Sequence, residues 1–151
     1  MAATQIERIL CPVDFSETSQ GAFAYALGLA QATGAELIVV HALEDAPLFA
    51  AYAGPQANSI LDEAESAARR ELAELVADAT LPAARLHTEI LRGKIPQAIL
   101  EYAEQQRADL IVMGTHGRSG LEYAFFGSVA ERVLRRARCP VLIVPPRSRP
   151  R

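Results

Sequence analysis

Apolar runs of strand length alternate with helix-length stretches from one end of this chain to the other. ILCPV (9–13), ELIVVHAL (36–43), ARLHTEIL (84–91), DLIVMG (109–114) and CPVLIVP (139–145) each read as a strand. The first gap holds residues 16–34, where Phe23, Ala26, Leu27 and Ala30 recur at helical spacing and Gly34 supplies a stop. A second helix is expected from about Ser59 to Ala79, with Leu61, Ala64, Ala68, Leu72, Leu75 and Val76 on one face. A third runs from Pro96 to Gln106 and buries Ile99, Tyr102 and Ala103, with the proline in its first turn. The fourth is SVAERVLRRAR (128–138).

Strands joined by helices cannot pair as hairpins; they form a parallel sheet, which needs right-handed crossovers and is covered on both faces. The expected fold is therefore α/β: one domain over residues 1–151, an open five-stranded parallel sheet in the order 3-2-1-4-5, helices on both faces. ELIVVHAL is apolar almost throughout, as an inner strand should be, whereas ARLHTEIL alternates and belongs near an edge. Residues 44–58 show no clear period and carry Pro47, Gly54 and Pro55, so they read as a long connection of the kind that forms lids or interaction segments.

A chain of 151 residues, half of them hydrophobic and 22% charged, can bury one continuous core and is not a disordered acidic or basic segment. A net charge of −3 gives no general attraction to nucleic acid or anionic membrane. The tail RSRPR (147–151) is the local exception, and it reads as a solvated end. The N-terminus lacks the pattern of a signal peptide, and the longest apolar run is too short to span a bilayer. A cytoplasmic protein that contacts neither membrane nor nucleic acid is the expectation.

In the 3-2-1-4-5 order the first and fourth strands are neighbours whose connections leave in opposite directions. Ligands bind outside the carboxyl ends of strands at such a switch point. The first strand ends in Pro12-Val13-Asp14, and the fourth ends in Met113-Gly114 and opens into GTHGRSGLEYAFFGS (114–128). Gly114, Gly117 and Gly120 permit positive φ and let a ligand approach peptide N–H groups. Gly127-Ser128 then starts a helix whose first amides are unpaired and whose dipole favours an anion. His116 and Arg118 add donors, so the ensemble suits a phosphate.

Plainer roles compete for several of these residues. Ser128-Val129-Ala130-Glu131 has the form of a capping box, so Ser128 either caps its helix or contacts phosphate, or does both. Asp14 is either a turn or helix-capping residue or an acceptor for ribose or adenine, and its place at the switch point favours the second. Met113 suits both core and pocket wall. Arg132, Arg135, Arg136 and Arg138 lie toward a helix C-terminus, where cations offset the dipole. His41, inside an apolar strand, reads as a hydrogen-bonded structural residue rather than a metal ligand, and no metal site is expected. Cys11 and Cys139 fall on strands separated by the fourth, so no disulfide is expected.

Gly114-x2-Gly117-x9-Gly127-Ser128 stands in order with ILCPVDFSETS, GSVAERVL and CPVLIVP. Together, from about Ile6 to Val144, these motifs resemble the ATP-binding universal stress protein family. The resemblance implies an adenine nucleotide alpha hydrolase-like fold and ATP as ligand, with or without Mg2+ bound through the phosphates. It implies Pro12, Val13 and Asp14 beside adenine and ribose, and Met113 in the adenine pocket. Ala42 falls where the family often has Val, and Val13 where it frequently has Thr. Gly114, Gly117, Arg118, Gly127, Ser128 and Val129 are implied at the phosphates. It further implies a homodimer joined along the last strand, Pro140–Val144, whose apolar edge is a hazard unless paired.

Three functions remain open on the sequence: a nucleotide-dependent stress-response module, a weak ATPase or other phosphate-transferring enzyme, and an interaction subunit with a vestigial pocket. Gly93-Lys94 is followed by Ile95, so the lysine and hydroxyl of a GxxxxGK[ST] loop are missing, which argues against the second. No convincingly positioned base for an attacking water is read near the loop, although His116 and Glu122 are candidates, and no catalytic residue is assigned. The intact glycines and Asp14 argue against the third.

Overall fold

All five apolar runs are strands in the computed structural model, which describes residues 2–45, 51–115 and 127–146. The elements are β1 (Arg8–Pro12), α1 (Glu17–Thr33), β2 (Glu36–Leu43), α2 (Ala57–Val76), β3 (Leu86–Arg92), α3 (Ile95–Gln105), β4 (Leu110–Gly114), α4 (Ser128–Arg136) and β5 (Val141–Val144). The sheet order is β3-β2-β1-β4-β5 and every pairing is parallel, as the alternation requires.

Side chains along a strand point alternately to opposite faces, and the two faces hold separate cores. Ile9, Cys11, Leu37, Val39 and Val112 pack under α1 and α2 through Ala22, Phe23, Ala26, Ala68 and Leu72. Leu10, Ile38, Val40, Ile111 and Met113 pack under α3 and α4 through Ile99, Ala103, Ala130 and Val133. Ile9, Leu10, Leu37 and Ile111 are wholly buried; each contributes about 1.5–3 kcal/mol of transfer free energy.

Element ends are set by local chemistry. Ser16 caps α1 by accepting from the Ser19 N–H, and Gly34, at φ 80°, ends it by donating to the Ala30 carbonyl. α1 has no basic residue in its last turn. Arg85 supplies the missing charge from the approach to β3, reaching the Ala30 carbonyl at 2.6 Å and the Ala35 carbonyl at 3.0 Å.

Two expectations change. The stretch 44–58 is not wholly irregular: residues 54–56 form a 3-10 turn that runs directly into α2 at Ala57. Residues 51–56 are mostly exposed and so lack the period that a buried face would show. The last strand shortens to Val141–Val144 because Pro140 and Pro145 cannot donate to a ladder. Both thiols are free, and Cys139 follows α4 at the amino end of β5.

Candidate functional site

The carboxyl end of the sheet opens where β1 stops. Its ladder with β2 ends at Pro12↔Val40, after which the Val13 N–H still donates to the Val40 carbonyl at 2.8 Å. The chain then turns away through Phe15, whose φ of 65° is a left-handed conformation that a bulky residue rarely adopts. The turn is pinned from two sides. The Asp14 Oδ1 accepts from the Ser16 N–H at 3.0 Å and from the Ser16 hydroxyl. His41 Nδ1 lies 2.8 Å from the Val13 carbonyl, and its ring packs on Phe15 with centroids 4.6 Å apart. A carbonyl oxygen can only accept, so Nδ1 carries the proton in this contact. His41 is thus the hydrogen-bonded structural residue anticipated from its strand, and Asp14 fills the turn-forming role.

Beyond Val40, β2 runs on without β1 beside it. Backbone groups of alternate residues point to opposite edges of a strand. The Leu43 carbonyl accepts from the Gly93 N–H on the β3 side, and the Val40 carbonyl accepts from Val13 on the β1 side. Ala42 therefore turns its N–H and its C=O toward β1, where the ladder has ended. A donor and an acceptor stand side by side at the mouth of the crevice.

On the other wall, β4 ends at Gly114, which lies against α1. A Cβ built on Gly114 would sit 2.7 Å from Thr18 Cγ2 and 3.1 Å from the Thr18 carbonyl oxygen. Gly114 does not adopt positive φ, so its glycine answers to close packing, not to a left-handed turn. Past the loop, the Gly127 N–H donates to the Thr115 carbonyl at 2.7 Å, tying the start of α4 to the end of β4. Gly127, at φ −58°, is the N-cap of α4 and has no side chain with which to cap the helix. The capping-box reading of Ser128 fails: Ser128 is the first helical residue, and Glu131 pairs instead with Arg135 at 2.9 Å. The first-turn amides of α4 have no described side-chain partner and face the crevice.

These walls enclose a cavity of about 400 Å³, within the range of small-molecule sites. Pro12, Val13, Asp14, Ala42, Met113, Gly114, Gly127, Ser128 and Val129 all line it. Three further candidates, His116, Gly117 and Arg118, lie outside the described residues, as do Gly120 and Glu122. The lining also includes Ser19, His41, Leu43, Glu44, Ile95, Ile99, Thr115 and Ala130. Ile95 and Ile99 are one helical turn apart at the start of α3, which follows the carboxyl end of β3, so topology could have placed them here. Glu44 carried no such signal.

The lining is polarised. Ala42, Leu43, Ile95 and Ile99 make the β2–α3 end largely apolar, with Glu44 the acidic residue among its described lining, whereas Thr115, Gly127, Ser128 and the first turn of α4 make the β4–α4 end polar. Asp14 lies at the end of β1, between the two. Such a site suits a molecule with a flat apolar body, a hydroxylated middle and an anionic tail.

A profile of the universal stress protein family matches residues 5–145. A universal stress protein of Methanocaldococcus jannaschii is 36% identical over 138 residues, spanning 91% of this chain and 81% of that one. A solved member of the family from Burkholderia pseudomallei superposes with a TM-score of 0.72 at 30% identity, over 95% of this chain and 99% of its own. A universal stress protein solved in complex with cAMP gives a TM-score of 0.69 at 25% identity, over 93% of this chain and 98% of its own. The sheet order and helix placement found here are those of the adenine nucleotide alpha hydrolase-like fold of the solved neighbours.

Proposed function

The chain belongs to the universal stress protein family, and on that premise we propose that it is an ATP-binding regulatory module whose nucleotide occupies the carboxyl-end cavity. The observation that carries this reading is the cavity's polarity. At the apolar end, Ala42 offers an N–H and a C=O that have lost their ladder partner, matching the N1 acceptor and N6 donor of adenine. At the polar end, the first-turn amides of α4, which have no described side-chain partner, meet the phosphates. Asp14, between them, is the acceptor for a ribose hydroxyl. Mg2+, where present, is held through the phosphates. The relative bound to cAMP supports an adenine nucleotide as the ligand class.

Binding, and not turnover, is the proposed role. Phosphoryl transfer needs charge neutralisation and a positioned nucleophile, and the Gly93-Lys94-Ile95 stretch supplies no P-loop lysine and hydroxyl. We place the protein in the cytoplasm, which suits two unpaired thiols. No described helix is long and apolar enough to cross a membrane. We further propose a homodimer along β5, an edge strand whose Val141, Leu142 and Ile143 stay half exposed.

Titration calorimetry with ATP tests the reading. Gly127→Val places a branched side chain beside the first amides of α4 and should abolish binding in a protein that still folds. Unchanged affinity would remove the phosphate end of the site. A kcat on the order of 1 per second or more would replace the binding module with an enzyme.

A further inference from the structure

Glu44 is an acidic residue in a cavity proposed to hold a polyanion, which calls for an explanation. It lines the cavity two positions beyond Ala42, at the β2–α3 end and away from the α4 N-terminus where phosphates would lie. Among the described lining residues the other carboxylate is Asp14, whose Oδ1 is already bonded to Ser16 at the end of β1. No Lys or Arg is found among the described lining, and Glu44 makes no ion pair with a described residue. Among the described residues, then, no cation offsets the Glu44 carboxylate at the base end.

We propose that Glu44 makes this end of the cavity selective for 6-amino purines over 6-oxo purines; the inference rests on the nucleotide reading above. An ionised carboxylate has four lone-pair sites and no proton, so it can only accept. The exocyclic amine of adenine carries two hydrogens. The Ala42 carbonyl can take one, and Glu44 is placed to take the other. Hypoxanthine and guanine present an oxygen at ring position 6 and a proton at N1. Against Ala42 both polarities are reversed, and against Glu44 the oxygen meets a second acceptor with no proton between them. A site built to receive a donor rejects an isostere that lacks it more strongly than an apolar pocket does. Glu44 thereby adds side-chain discrimination to a backbone contact that no substitution of Ala42 can supply.

ATP and inosine triphosphate differ only at position 6 and the N1 proton, so their dissociation constants, measured by calorimetry on the unmodified protein, Glu44→Gln and Glu44→Ala, isolate this effect. The Gln amide can turn its NH2 toward a 6-oxo group. In Glu44→Gln the preference for ATP should fall about tenfold, the size of one charged hydrogen bond near solvent, with inosine triphosphate binding more tightly than before. Glu44→Ala should lower the preference less, because it removes repulsion without adding a donor. Glu44 is exposed, so both variants should melt with the unmodified protein. An unchanged preference in both variants, with ATP still bound, overturns the assignment, as does an equal loss of both nucleotides. Failure of the unmodified protein to bind ATP overturns the nucleotide reading itself, and this inference with it.

Discussion

Gly114→Ala is the smallest change that should disturb both the fold and the site. The added methyl would sit 2.7 Å from Thr18 Cγ2, and 3.1 and 3.2 Å from the Thr18 carbonyl oxygen and carbon. A rotation of Thr18 could relieve the first contact, but the other two are backbone and require α1 to shift by a few tenths of an ångström. Overpacking of this kind costs about 1–3 kcal/mol. Gly114 is not left-handed, so alanine recovers about 0.5–1 kcal/mol of unfolded-state entropy. The net expectation is a loss of about 1–2 kcal/mol, or roughly 2–8 °C in Tm for a domain of this size. Thermal melts of Gly114→Ala, Thr18→Ala and the double variant form the assay. The double variant should recover part of the loss, because Thr18→Ala removes the Cγ2 contact and leaves the carbonyl contacts. ATP affinity should fall with stability, since a shift of α1 moves Ser16 and with it the Asp14 turn. A Gly114→Ala protein as stable as the parent would refute the packing account.

Three further outcomes are expected. The Pro140 carbonyl accepts from the Ile111 N–H, so strand alternation turns the N–H groups of Val141 and Ile143 outward together. Ile143→Pro should keep its pairing with β4 yet report a monomer by light scattering, whereas Leu142→Pro should unfold β5. Hydrogen bonds from Arg92 first, and then Arg69, hold the Glu65 carboxyl below its ordinary range. Its stabilisation is therefore present above the unfolded pKa of a glutamate and is lost as pH falls through the lowered folded value. The urea midpoints of the parent and Glu65→Gln should differ at neutral pH and converge in acid; a gap independent of pH would exclude the ion pair as its cause. Burial pushes the Cys11 thiol up to about 12, which leaves almost no thiolate at neutral pH. Iodoacetamide should label the half-buried Cys139 first and Cys11 only on unfolding, as peptide mass spectrometry would show.

The fold was legible because each layer announced itself by period. β2 is apolar almost throughout and inner, β3 is partly exposed and lies at the edge, and Gly34 stops α1 where the helical spacing ends. The strand ends were legible in turn, since topology alone makes Asp14 and Gly114 neighbours of one crevice. What a one-dimensional pattern could not carry were roles set by three-dimensional contact. Gly114 reads as a loop glycine, yet its neighbour is Thr18, almost a hundred residues away. Ser128 has the spacing of a cap, but Gly127 takes that position because its amide is drawn to the Thr115 carbonyl. Ile95 reads as ordinary helix start and Glu44 as loop, and only the closure of β2 on β3 at Gly93 brings both to the cavity.

Amide chemical shifts followed by nuclear magnetic resonance through an ATP titration test the central claim most directly, because they locate the ligand as well as detect it. The account predicts saturable changes largest at Ala42, Gly114, Thr115 and the first turn of α4, residues 128–130, with little response at the amino end of the sheet around Ala103, Ala108 and Ala137. The absence of saturable changes, or changes confined to that amino end, would contradict it.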